Sequence, residues 1–357
     1  MPTVSLTMIV KNEEKYLARC LQSVVNMVDE MIVVDTGSTD QTKFIAEQFG
    51  AKVYDYHWDN HFANARNFAL QKANSDWNLV LDADEYLVGD VEKSLRSFIE
   101  TKRAIGRVLI VSKYLDNGEV KYSRQLASRL FPKGAFYKGR IHEQIVSDLP
   151  HFVTTIELHH SGYYETDKTD RNLPLLLLEL EGQPDNPYIL YHIAINEKNR
   201  KNYSAADQYY EKAYSLLTGK EGYAPVLVVD YLYNIIANGN LDKGITIIDK
   251  EKKRLSNFPD FHFVKGLFFM DYIQKDLENR LHMIDWIEEA YLTCIDLGES
   301  NHNDSVVGVG SFLAAYNLGV LYELFGIIDK ARYYYLEASN FGYQPAAERL
   351  NQLQLLM

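Results

Sequence analysis

An apolar run that stops abruptly in acids, Leu79-Val80-Leu81-Asp82-Ala83-Asp84-Glu85, constrains this chain more than any other stretch. Consecutive large aliphatic residues of this kind read as a buried strand, and strands buried on both faces belong to parallel sheets covered by helices. Asp82 and Asp84 stand one residue apart, so both carboxylates reach the same mouth at the strand's end. Hard oxygen ligands presented in that way suit a divalent cation held against a phosphate. The alternative is that Asp-Ala-Asp caps a following helix, a common use of acids after a strand.

The residues upstream supply a setting for that strand. Val4 to Val10 reads as a strand, and Glu13 to Val25 as a helix with Tyr16, Leu17, Cys20, Leu21 and Val24 at helical spacing. A second strand, Glu30 to Asp35, ends in an acid and runs through Thr36-Gly37-Ser38-Thr39-Asp40 into a helix from Gln41 to Phe49. Strand, helix, strand, helix predicts an α/β domain whose functional groups gather at the carboxyl ends of parallel strands, which places Asp35 and Asp82 on one rim. Gly37 and Ser38 permit a tight turn and Thr39 and Asp40 can cap the helix behind it, leaving Asp35 to accept hydrogen bonds from a ribose or a base edge. Trp58 to Asn67 opens a further helix that continues to Ala73. Arg66 lies near its start, where a guanidinium and unpaired backbone donors together suit a diphosphate; the alternative is a solvated surface arginine.

These blocks, Val10-Lys11-Asn12-Glu13, Val34 to Asp40, Phe62 to Asn67 and Trp77 to Glu85, resemble the nucleotide-binding half of a family 2 glycosyltransferase with the GT-A fold. The resemblance continues through Arg129-Leu130-Phe131, Lys138 to Glu143, His160-Ser161-Gly162-Tyr163, Lys168 and Arg171-Asn172-Leu173. Joined to a helical second half, the later blocks are similar to the subgroup of sublancin-type peptide S-glycosyltransferases that act on glycosylated bacteriocins. Carried over residue by residue, the resemblance implies Asp84 as the principal metal ligand, Asp82 at ribose or metal, and Asp35 at the nucleotide. It implies Val10 and Glu13 lining the nucleotide pocket, Ala83 against the donor, Arg66 near the base or diphosphate, and His160 completing the cation and diphosphate site. Strand alternation favours one histidine of the pair, His160, with His159 bonding a nearby loop. The implied cofactor is Mg²⁺ or Mn²⁺, and the implied donor is UDP-glucose.

An acceptor thiol or hydroxyl must lose its proton as it attacks an anomeric carbon, so an inverting transferase needs one base on the acceptor side. Glu143 is the candidate base, with His142 in a supporting or sugar-binding role. A salt bridge from Glu143 to Arg140 or Arg129 is the competing use, and Glu85 is the competing base.

Beyond Glu179 the pattern changes. Gly182-Gln183-Pro184-Asp185-Asn186-Pro187 interrupts it and helices follow, dividing the chain into a catalytic α/β domain at 1–180 and an all-α domain at 181–357. Residues 187–220 match one tetratricopeptide length, with Leu190, Ile193, Ala194, Ala206, Tyr210 and Ala213 at the packing positions. Residues 312–345 repeat the pattern with Leu318, Gly319, Tyr322, Ala331, Tyr335 and Ala338; 225–259 fits loosely, with Gly244 in place of alanine, and 265–297 has no clear register. Such an array binds peptides or partner helices, or it braces the first domain or forms a homodimer. In Tyr209-Tyr210 and Tyr333-Tyr334-Tyr335 at least one residue of each set must be core.

The formal charge of −12 at pH 7 makes nucleic acid an unfavourable ligand, and the helical half, with 16 Lys+Arg against 24 Asp+Glu, favours a cationic peptide. No stretch of about 18 apolar residues crosses a membrane. Met1-Pro2-Thr3 enters the first strand without a basic and apolar leader, and with only Cys20 and Cys294 as thiols the expectation is a cytoplasmic protein. The combined reading is a metal-dependent inverting glycosyltransferase moving a hexose from a nucleotide diphosphate sugar to a Cys, Ser or Thr side chain of a peptide. The alternatives are a glycan acceptor, such as a lipopolysaccharide core, and a non-catalytic peptide-binding module.

Overall fold

The computed structural model describes residues 1–116, 119–161, 169–300 and 304–355, so Gly162, Tyr163 and Lys168 of the later motif blocks lie outside the described residues. The chain divides into two compact units, Met1–Pro184 and Asp185–Met357. The N-terminal unit alternates β1 (Val4–Val10), α1 (Leu17–Val24), β2 (Glu30–Asp35), α2 (Thr42–Gln48), β3 (Lys52–Asp55), α3 (Phe62–Lys72) and β4 (Trp77–Val80). It continues with β5 (Glu85–Val88), α4 (Val91–Thr101), β6 (Ile105–Asp116), β7 (Glu119–Pro132), β8 (Phe136–Lys138), β9 (Gln144–Val146), β10 (His151–His160) and α5 (Thr169–Gly182).

The main sheet has the order β3-β2-β1-β4-β7-β6-β10-β5. Its first four strands are parallel, as the alternation of strands and helices requires, and β7 joins β4 antiparallel. The second half is mixed: β6 pairs antiparallel with β7 and parallel with β10, which pairs antiparallel with β5. This is the curled, mixed sheet flanked by helices of a GT-A domain. Central β1 is buried along nearly its whole length, Val4, Leu6 and Met8 included, because helices cover both faces of a parallel sheet. The small antiparallel pair β8–β9 stands apart from the main sheet.

Two local readings are corrected. The first helix begins at Leu17, not Glu13: residues 13–16 form a turn in which Tyr16 N and Leu17 N both donate to the Glu13 carbonyl (3.1 and 3.0 Å), and ahead of it the N–H groups of Asn12, Glu13 and Glu14 donate to Ser38 Oγ (2.9 Å), Thr42 Oγ1 (2.7 Å) and Asp40 Oδ2 (3.2 Å). The segment Asp82-Ala83-Asp84 does not cap a helix. It forms a turn between β4 and β5, and Glu85 already belongs to β5.

The C-terminal unit is built from α6 (Pro187–Asn199), α7 (Tyr203–Ser215), α8 (Ala224–Asn238), α9 (Leu241–Glu251), α10 (Pro259–Gln274), α11 (Leu277–Arg280), α12 (Asp285–Leu297), α13 (Phe312–Leu324), α14 (Ile328–Asn340) and α15 (Gln344–Leu355). Antiparallel hairpins α6–α7, α8–α9 and α13–α14 pack in succession, and α10 packs on α12 with α11 inserted between them, which explains the lost register there. The packing positions of the two clear repeats are buried, and Tyr210 and Tyr335 are the core members of their tyrosine runs. Gly244 is glycine for a steric reason: a Cβ there would stand 2.2 Å from the Phe268 ring. Among the described residues no helix is long and apolar enough to cross a membrane.

Candidate active site

The carboxyl ends of β1, β2 and β4 form one rim, as parallel strands must. Asp35, the last residue of β2, is buried, and its Oδ1 accepts hydrogen bonds from Gly37 N and Ser38 N, both at 2.9 Å. Gly37 adopts φ +107°, which closes this turn. Asp35 Oδ2 is buried and has no partner within the chain. The turn is fixed from the other side by Asn12, whose Oδ1 accepts Thr39 N at 2.8 Å and whose backbone takes the left-handed φ of +56°. Val10 is buried and anchors the same turn, its carbonyl accepting both Thr36 N (2.9 Å) and Thr36 Oγ1 (3.0 Å). Asp40 caps locally, accepting Thr42 N at 3.0 Å.

At the end of β4 the acids meet two arginines. Arg66 Nη2 donates to Asp82 Oδ1 at 2.7 Å and Arg66 Nε donates to Glu143 Oε1. Arg129, from β7, donates through Nη2 to Asp82 Oδ2 at 2.7 Å and to Glu85 Oε1 at 2.6 Å. Glu85 Oε2 accepts the Asp82 backbone N–H at 2.8 Å, folding the turn back on itself. Burial alone would raise the Asp82 carboxyl, but Arg129 and Arg66 override it and hold the group well below the usual carboxylate range. Glu85 is pushed up, since burial and the neighbouring Asp82 charge outweigh Arg129. Arg66 is therefore not a solvated surface residue: its Nε and Nη2 hold the two acids, its Nη1 is buried without a partner within the chain, and Glu143 pairs with it instead of with Arg140 or Arg129.

Asp84 points elsewhere. Its Oδ2 lies 3.0 Å from His160 Nε2, the His160 Nδ1 faces Ser112 Oγ at 3.3 Å, and the Asp84 carbonyl accepts Ser161 N at 2.9 Å. The ends of β4 and β10 are thus tied together around this pair. His159, on the opposite face of β10, bonds Glu157 at 2.8 Å and packs against Tyr86. Ligands at about 2.1 Å from an ion and at right angles stand about 3 Å apart, so the Asp84–His160 separation fits two neighbouring positions of an octahedral Mg²⁺ or Mn²⁺. Such ions are ordinarily held by few protein groups plus substrate phosphates. The described residues contain no cluster of three or more His, Cys, Asp or Glu that could hold a metal. Asp82 is set apart from the pair by its two arginines.

Residues 5–154 match the family model for glycosyl transferase family 2. This stretch of the chain is thus similar to family 2 glycosyl transferases. The glycosyltransferase SunS of Bacillus subtilis, derived from prophage SPbeta, is 26% identical over 316 residues, covering 83% of this chain and 65% of SunS. A TPR repeat-containing protein of Synechococcus elongatus is 46% identical over 131 residues, covering 37% of this chain and 32% of that protein. The chain thus spans less than two thirds of the length of these curated relatives. The crystal structure of glucosyl-3-phosphoglycerate synthase from Mycobacterium tuberculosis, in complex with Mn²⁺, UDP and glucosyl-3-phosphoglycerate, overlaps with 25% identity and a TM-score of 0.26, covering 32% of this chain and 44% of that one.

Within the matched stretch, α3 is positioned by its own motif. His61 Nδ1 accepts Asn64 N at 3.3 Å to cap the helix, and Asn67 exchanges two hydrogen bonds with the Tyr137 backbone, at 2.9 and 2.8 Å. This sets the Tyr137 ring 5.6 Å from the Arg66 guanidinium. His142 takes a left-handed φ of +51°, a conformation that costs energy outside glycine, and this loop delivers Glu143 to Arg66. Burial lowers the His142 imidazole to about 4, so it is neutral at pH 7.

Arg129 is the site residue that sequence reasoning considered only as a partner for Glu143. Its signal was available: a lone arginine between Leu126 and Phe131, in a strand whose other inward residues are apolar. What pattern alone did not supply was the identity of the acids it meets.

Proposed function

We propose that this protein is a metal-dependent inverting glycosyltransferase that moves a hexose from a nucleotide diphosphate sugar to a Cys, Ser or Thr side chain of a peptide. The observation that carries the reading is the contact of Asp84 with His160 at the rim of a family 2 domain. Together they would hold Mg²⁺ or Mn²⁺, which supplies counter-charge to the diphosphate as it leaves. Asp35 would read the nucleotide: its unpartnered Oδ2 calls for a donor, which uracil provides through N3–H, and this supports UDP-glucose as donor. Val10 and Glu13 line the base and ribose side with Ala83 and Asp82. We assign Arg66 to holding Asp82 and Glu143 in place, since both carboxylates already bond it.

Glu143 is the proposed base. Its Oε1 is held by Arg66, leaving Oε2 to take the proton of the acceptor thiol or hydroxyl while sulfur or oxygen bonds the anomeric carbon and the bond from that carbon to the β-phosphate oxygen breaks. His142, neutral and beside Glu143, suits a sugar hydroxyl. The peptide acceptor rests on the resemblance of the later motif blocks to peptide S-glycosyltransferases and on the helix hairpins of 185–357, which we assign to acceptor binding or to self-association. Two free, buried cysteines, Cys20 and Cys294, support a reducing, cytoplasmic setting.

The test is intact-mass analysis of bacteriocin-precursor peptides incubated with the protein, Mn²⁺ and a panel of UDP- and GDP-hexoses. A gain of one hexose that EDTA abolishes is expected. Hexose transfer to saccharides but to no peptide would replace the acceptor assignment, and full transfer in excess EDTA would remove the metal.

A further inference from the structure

Arg171 stands in the first turn of α5 and is exposed. Its Nε donates to Asn172 Oδ1 at 2.9 Å, and its guanidinium lies 5.2 Å from the centre of the Phe62 ring. Phe62 opens α3 one turn ahead of Arg66, so the aromatic face that seats Arg171 belongs to the helix that also carries the inner arginine. The charges of Glu13, Asp82, Asp84 and Glu143 all act on Arg171, and Arg171 acts on His142. Those residues come from the loop after β1, the turn between β4 and β5, and the loop before β9, which converge on one mouth.

The three arginines of this mouth differ in what they hold. Arg66 bonds Asp82 and Glu143, and Arg129 bonds Asp82 and Glu85, so the charge of each is already compensated and only the buried Arg66 Nη1 and Arg129 Nε are left without a partner within the chain. Arg171 forms no ion pair among the described residues, and only its Nε is engaged. Both terminal nitrogens of a planar fork remain, in the geometry that grips phosphate oxygens two at a time, and the cation–π contact with Phe62 helps to keep the group at the mouth. The acids around it attract Arg171 to the mouth without pairing with it. A nucleotide diphosphate entering that mouth would meet repulsion from these same acids, which a cation of the chain would offset beside the proposed metal.

Resting on the donor assignment above and extending it, we propose that Arg171 binds the diphosphate of the sugar donor directly and takes up charge on the nucleoside diphosphate as it departs. In this arrangement Arg66 and Arg129 shape the acids, and Arg171 is the arginine that touches the substrate.

The experiment uses the full chain with Arg171→Gln and Arg171→Lys and compares affinity for UDP with affinity for uridine by NMR titration, in Mg²⁺ and again in EDTA. GDP and guanosine replace them if the wild type prefers guanine. Loss of one charge-assisted grip is expected to weaken diphosphate binding on the order of 10- to 100-fold in Arg171→Gln, with or without metal, and by less in Arg171→Lys. Nucleoside binding is expected to stay unchanged. Unaltered diphosphate affinity in Arg171→Gln overturns the proposal, and so does an equal loss for nucleoside and nucleotide, which would mean a disturbed pocket. A wild type that binds neither UDP nor GDP refutes the donor assignment itself, an outcome distinct from either of these.

Discussion

Replacing Arg129 by Met tests whether the acids at the end of β4 depend on their buried cation. One nitrogen of Arg129 bonds both Asp82 Oδ2 (2.7 Å) and Glu85 Oε1 (2.6 Å), and the Arg129 and Glu85 side chains are only 12% and 3% exposed. Asp82 is 35% exposed, so water can compensate it in part and the larger loss falls on Glu85. Removing one partner of a buried ion pair costs about 3–5 kcal/mol, because the other charge is left without compensation. Arg129→Met should therefore destabilise the N-terminal unit by about that amount at pH 7.5. Glu85 already has a raised folded-state pKa, and the substitution raises it further, so folding favours its protonated form and the deficit should shrink as the pH falls toward 5. Adding Glu85→Gln to Arg129→Met should recover a large part of the loss, since the orphaned charge is gone. The assay is urea unfolding followed by tryptophan fluorescence, with Trp58 and Trp77 reporting on this unit and Trp286 on the other. A loss below about 1 kcal/mol, or a double variant no more stable than the sum of the single effects, would refute the role given to Arg129.

Asp84→Ala should abolish divalent-dependent tightening of UDP binding, measured by calorimetry with and without Mn²⁺, while metal-free UDP binding stays near the wild-type value. Asp35→Leu should weaken uridine binding about 10-fold or more through loss of the orphan acceptor; unchanged uridine affinity would remove Asp35 from the base site. In the C-terminal unit, burial raises Asp260 to about 7, so stability should fall as the pH rises from about 4 to about 7, by at most about 4 kcal/mol, and Asp260→Asn should flatten that dependence in urea midpoints taken at pH 5 and 8. Gly244→Ala should lower the midpoint of the same unit by about 1–3 kcal/mol, because the added methyl meets Phe268 at 2.2 Å, and a neutral result would show that the ring can move aside.

Periodicity in the sequence determined much of the architecture. The aliphatic runs at Val4–Val10 and Glu30–Asp35 had to be buried strands, and their alternation with helices required a parallel core with Asp35 and Asp82 on one rim. Helical spacing with small residues at fixed positions likewise dictated the hairpins α6–α7 and α13–α14, since the small, fully buried Ala206 and Ala331 let a neighbouring helix approach closely. These are local properties, set by where a side chain points along its own element. What a carboxylate meets across the fold is not local. Asp82 and Asp84 are two residues apart and look alike in the chain, yet Arg66 from α3 and Arg129 from β7 neutralise the first, while His160 from β10 meets the second. The approach to α1 is likewise held from afar, since Ser38, Thr42 and Asp40, more than twenty residues away, accept the backbone N–H groups of Asn12, Glu13 and Glu14. Only the closed sheet sets those separations, because a charge or a donor responds to whatever lies within a few ångströms regardless of its distance along the chain.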